Sequence, residues 1–157
     1  MGVQGDMKIR IKREPATEEE WQKFKSLNVN LPKDYYEFMK THNGGVLDNT
    51  ENFVTTYSDA YGEFSVSRFF PLIEVFEEKE DVESCFPICL LKIGNDPFGN
   101  IFCIKVEGEN VGEIYLWTPF DPPENEPIKG DLKTYEDIHL LSSSFTDFCD
   151  SLGPVKG

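Results

Sequence analysis

FPICLLKIGNDPFGNIFCIKVEGENVGEIYLW, residues 86–117, reads as three β-strands in succession. Residues 86–93 are apolar on both faces, the pattern of a strand in the interior of a sheet. Gly94 to Gly99 then supply an Asx- and Gly-rich turn, with Asp96 before Pro97 and glycines for backbone at positive φ. The next two segments, 100–106 and 111–117, flank Glu107-Gly108-Glu109-Asn110, which is hairpin chemistry. Upstream, Phe64, Val66 and Phe70 alternate with Ser65 and Ser67, as in a strand with one wet face.

Helical periodicity appears on either side of this block. Thr17 with Glu20 forms a capping box, followed by Trp21, Phe24 and Leu27 on one stripe, so a helix is expected through about residue 27. A second helix is expected in LPKDYYEFMKTHNGG, residues 31–45. Pro32 suits its first turn, Tyr35, Phe38, Met39 and His42 share one face, and Asn43-Gly44-Gly45 ends it. Downstream, residues 119–137 hold Pro119, Pro122, Pro123 and Pro127 with six carboxylates, an exposed loop. A closing helix is expected over about 142–152, capped by the serine run, carrying Phe145, Phe148, Cys149 and Leu152 inward. Like elements are grouped rather than alternating, so the fold class is α+β: two N-terminal helices, an antiparallel meander of about five to six strands, and one C-terminal helix packed on the sheet. Trp21, Phe38, Ile93, Trp117 and Phe148 should be core.

The 157 residues suit one domain, and 13% aromatic content supplies a sizeable core. Charge is uneven. The chain carries −14, but residues 1–13 hold four basic groups against Asp6, leaving −17 on residues 14–157. Residues 1–13 are therefore read as a basic leader, disordered or in part foreign to the native chain, with Met7 available as an internal start. The remainder is read as a single domain. A field of that sign repels phosphate backbones and speeds encounter with a basic protein. It also serves plain solubility. No apolar run fits a signal peptide or a membrane span, which points to the cytoplasm. Cys85, Cys89, Cys103 and Cys149 lack metal-ligand spacing and are expected as reduced thiols, with no metal and no disulfide.

No nucleophile elbow, phosphate loop, dinucleotide fingerprint or zinc-protease motif occurs. His42 reads as a helix C-terminal cap, His139 as a packed loop residue, and Ser142 to Ser144 as a helix cap rather than nucleophiles. Nothing favours an enzyme, and no cofactor is expected. Asn43, Asp96 and Asn100 have a structural reading as turn residues. The alternative is that they line one pocket at an end of the sheet.

Three segments, in this order, resemble the SUKH superfamily across residues 17–152. They supply Leu31-Pro32 with Tyr35 and Phe38, then Asn43, Gly44 and Gly45. Next come Ile93 and Gly94 with Asp96 and Gly99, Trp117 ending the hairpin, and Phe145 with Phe148. The resemblance implies the same α+β order, no shared catalytic set, and, for most bacterial members, binding and neutralisation of a cognate toxin, often a nuclease. Fungal members are cell-wall assembly regulators, so an intracellular regulatory or scaffold module is the alternative. The Pro-rich loop 119–137 departs from the family pattern. For a basic toxin partner, the acidic groups to consider are Glu74, Glu77, Glu78, Glu80, Asp81 and Glu83, and Asp121, Glu124, Glu126 and Asp131 in the loop. Neither nucleic acid nor membrane is expected as a partner, and the protein should be a monomer or weak dimer.

Overall fold

The computed structural model describes residues 9–11, 14–47, 53–55, 63–80, 89–96, 99–117, 138–150 and 152–153. The elements run β1 (Ile9–Ile11), α1 (Glu18–Lys25), α2 (Lys33–His42), β2 (Gly45–Leu47), β3 (Phe53–Thr55), β4 (Glu63–Ser65), β5 (Arg68–Phe69), α3 (Leu72–Glu80), β6 (Leu90–Asn95), β7 (Ile101–Lys105), β8 (Ile114–Trp117), β9 (Ile138–Ser142), α4 (Phe145–Asp150) and β10 (Leu152–Gly153). The α+β class holds, with α1 and α2 ahead of the β6–β9 meander and α4 after it. A seven-stranded sheet has the order β1-β2-β5-β6-β7-β8-β9, and a three-stranded sheet has β10-β3-β4. Every pairing is antiparallel, and β6 to β9 form the meander.

Local chemistry writes the helix ends. Thr17 and Glu20 close the expected capping box on α1, at 3.1 and 2.9 Å. Pro32 sits at the N-cap of α2, one place before its first turn, and Asn43 ends the helix in the left-handed region at φ 51°. At α4 the Ser144 hydroxyl accepts from Asp147 N–H at 3.0 Å, the expected serine cap.

Four details differ from the sequence expectation. α3 lies between the two stretches read as strands, where no helix was expected; Leu72, Val75 and Phe76 carry a helical stripe that the neighbouring carboxylates obscured. Residues 138–142, including His139, form β9 rather than loop, because β8 offers an open edge that pairs Leu116 with His139. Ser142 therefore belongs to a strand and α4 starts later, while Leu152 leaves the helix to pair with Val54. Ile9–Ile11, within the basic leader, adds an edge strand against β2.

The sheet is apolar on both faces, as the run at 86–93 suggested. On one side Leu91, Ile93, Phe102, Ile104 and Leu116 join α1, α2, α3 and α4 in the main core. On the other, Leu90, Cys103, Tyr115, Trp117 and Ile138 form a second cluster. Successive residues of each strand go to opposite clusters, as pleating requires. The main core is a chain of aromatic rings: Tyr35, Phe38 and Phe69 each lie 5.1–5.6 Å from Phe145, and Phe148 reaches Phe102 at 5.4 Å. Offset and edge contacts of this kind add about 0.5–1.5 kcal/mol each to the burial itself. Phe38, Ile93, Trp117 and Phe148 are buried, whereas Trp21 is only partly buried at the rim.

Candidate functional site

The acidic stretch begins on α3, whose position is fixed from three sides. Leu72 and Val75 enter the main core, and the Leu72 N–H, one of the orphan donors of the helix start, donates to Asn43 Oδ1 at 2.7 Å. β5 pairs with β6 only through Gly94 and Asn95, and beyond them α3 lies against β6, with Lys79 Nζ 3.4 Å from the Leu90 carbonyl. Burial lowers the Lys79 pKa, and the Glu107 charge works against that shift. The acidic turn at 107–110 thus neighbours the C-terminal end of α3.

Glu74, Glu77 and Glu78 stand three and four residues apart and share the outer face of this helix. Two of them are engaged. Glu74 takes both arms of Arg68, at 2.9 and 2.8 Å, while the guanidinium sits 4.6 Å from the Phe70 ring. Glu78 reaches Lys92 Nζ at 3.4 Å; Lys92 is 6% exposed and lies 5.1 Å from the Trp117 ring centre. Glu77 is exposed, with no ion pair among the described residues. The Glu80 side chain, Asp81 and Glu83 lie outside the described residues, as do Asp121, Glu124, Glu126 and Asp131.

The motif residues serve as scaffold. Asn43 spends both ends of its amide, Oδ1 on Leu72 and Nδ2 on the Glu14 carbonyl at 2.9 Å. Gly44 has φ 79°, and a Cβ there would stand 2.5 Å from the Phe69 carbonyl; Gly45 pairs with Phe69 as the first residue of β2. A Cβ on Gly94 would meet the Arg68 carbonyl at 2.6 Å, so β5 crosses β6 only because that residue is bare. Asp96 accepts from Asn100 N–H at 2.9 Å and Asn100 Nδ2 at 2.7 Å, and Gly99 completes the turn at φ 93°. The structure brings Asp96 and Asn100 together and gives Asn43 other partners. Trp117 ends β8 within the second cluster.

Sequence reading missed one tie and one surface. Asp34, in the first turn of α2, accepts from the Thr146 N–H and hydroxyl, both at 2.9 Å, and so caps α4 from 112 residues away. Beside it an open groove of about 510 Å³ runs between the start of α2, the turn at Val111 and Gly112, and the serines before α4. Val111 is 45% exposed, an apolar side chain in a polar turn. That oddity was the available signal. No spacing announces the Asp34–Thr146 contact.

Cys89, Cys103 and Cys149 are free thiols, and burial raises each above its ordinary value. A raised thiol is a poor nucleophile. Among the described residues no cluster of His, Cys, Asp and Glu could hold a metal, and no helix is long and apolar enough to cross a membrane.

The model of the SMI1 / KNR4 family (SUKH-1) matches residues 15–151. The chain belongs to this family. SUKH members include toxin-immunity proteins and regulators of the KNR4 kind, and are in general binding proteins rather than enzymes. The SUKH match begins two residues before the α1 cap and ends one residue after α4, so it spans the helices and both sheet faces described above. No curated protein and no solved structure matches the chain.

Proposed function

We propose that this SUKH protein is an immunity protein, acting in the cytoplasm as a single domain, that binds a cognate basic toxin domain one to one and blocks it. A nuclease is the toxin class that fits best, because a nuclease cleft is basic in order to hold phosphate, and an acidic protein can occupy it by presenting the substrate's field. The observation that carries the reading is the net −17 on residues 14–157 of a chain in a family of binding proteins. α3 supports it: ion pairs to Arg68 and Lys92 hold the helix while Glu77 faces solvent. In this proposal Glu77, Glu78, Glu80, Asp81 and Glu83 steer the toxin in, together with Asp121, Glu124 and Glu126.

Co-expression with the adjacent toxin gene tests the reading. Cells carrying both genes should survive induction that kills cells with the toxin alone, and the two proteins should co-purify at equal stoichiometry. Equal killing in both strains rules out immunity to that toxin and moves the family's other role, an intracellular regulatory module, to first place.

A further inference from the structure

The groove beside α2 is lined by none of the acidic residues of α3, and its chemistry is more specific than charge alone. Its apolar surface comes from Pro32 and the exposed Val111, with Gly112 beside the proline. A Cβ on Gly112 would be 3.9 Å from the Pro32 ring, so a side chain there would begin to fill the groove. Ser143 and Ser144 line a further side.

Charge around the groove favours a cation. Lys33 is the positive lining residue, and Asp34 is already committed to Thr146. Against Lys33 stand Glu37, exposed on the lining turn of α2, and Asp147, which accepts from the lining Ser143 at 3.1 Å. An apolar strip with carboxylates at its margin suits a side chain with a long hydrocarbon stem and a charged head. Arginine fits better than lysine, because its flat guanidinium can lie on the proline and valine while its several N–H groups reach carboxylate and hydroxyl oxygens together.

Resting on the immunity reading, we infer that this groove takes an arginine side chain from a loop of the basic partner, and so sets the register of docking after the acidic face has steered the encounter. The Pro32 of the Leu-Pro motif then has a second use, as one surface of the arginine subsite. The other exposed large hydrophobic among the described residues, Tyr36, is not available in the same way. Its ring packs edge-on against Trp21 at 5.2 Å and under Lys40 at 5.4 Å.

The test uses the full chain and a capped peptide with one arginine between glycines, followed by amide chemical shifts. The control is the same peptide with citrulline, which keeps the shape and removes the charge. Expected are shifts centred on Glu37, Val111, Gly112, Ser143 and Ser144 that are much smaller with citrulline. Glu37→Gln should weaken binding about threefold, in the range of an exposed charge pair. Val111→Ser should weaken it again without changing the rest of the spectrum. Equal shifts with citrulline, shifts centred on α3, or no shift at the groove would each overturn the inference. Failure of toxin rescue with the peptide still in the groove sinks the immunity reading alone. Rescue with an unresponsive groove sinks the arginine subsite alone.

Discussion

Tyr35 is the residue whose chemistry is most exposed to test, because it is the least exposed to water. Its ring is fully buried in the aromatic core, and its hydroxyl is buried with no hydrogen-bond partner among the described residues. Burying an unpaired hydroxyl opposes folding by about 1–3 kcal/mol. Tyr35→Phe should therefore hold or raise the denaturation midpoint; a loss of 1 kcal/mol or so would mean that the hydroxyl is bonded after all. The same burial sets an alkaline limit. It raises the Tyr35 pKa above 10.0, and it raises Cys103 and Cys149 above 9.0. Each group loses its proton in the unfolded chain at a pH where the folded chain keeps it. The unfolded state then binds fewer protons, so stability falls as pH rises above about 9, by up to about 1.4 kcal/mol per pH unit for each group. Denaturant midpoints between pH 8 and pH 11 should show the decline, with the Tyr35→Phe slope shallower above pH 10. A flat profile refutes the burial of all three.

At the scale of elements, α4 is a six-residue helix, too short to persist on its own propensity. It is held by Phe145 and Phe148 in the core and by Asp34 across the sequence. Asp34→Ala should destabilise the fold by about 1–2 kcal/mol through the lost cap. Because the carboxylate bonds the hydroxyl as well as the N–H, a double-mutant cycle with Thr146→Val should return a coupling of at least about 0.5 kcal/mol. Additive effects in urea unfolding would show that the two residues act separately. α3 is a different case. Its place follows from a two-residue β5 that leaves part of β6 uncovered, and from Gly94, which lets β5 approach so closely. Its acidic face is accordingly presented by backbone constraints in another part of the chain.

For the whole molecule the governing quantity is a field. The acidic body should draw a basic toxin from a distance, and that attraction is screened at a Debye length of roughly 8 Å in physiological salt. The association rate with the toxin should fall steeply as salt rises, while dissociation, set by close packing, changes less. Glu77→Gln should slow association more than Glu74→Gln, because Glu74 is neutralised by Arg68 and Glu77 is not. Stopped-flow traces across a salt series measure both. An association rate indifferent to salt would remove steering from the mechanism. A larger effect at Glu74 would move the docking face towards β5.

Much of this was legible before folding. The capping box at Thr17, the left-handed exit at Asn43, the turn at Asp96 and Gly99, and the two-faced apolar pattern of β6 are local signals, although β6 runs to Asn95 where the turn was expected from Gly94. They depend on backbone preferences and on burial alternating along a strand, which neighbouring residues alone can express. The family was legible as well, since the resemblance rested in part on Asn43, Asp96 and Gly99. What sequence could not state is which polar group meets which across long separations. Asp34 with Thr146, Asn43 with Leu72, Glu78 with Lys92, and the groove between Pro32 and Val111 exist only once the sheet has brought distant segments together. Their residues carry no spacing to read, because a contact made by packing leaves no period in the chain. α3 was hidden for a related reason: its inward stripe has only a few apolar residues, and the charges beside it had partners that only the tertiary structure supplies.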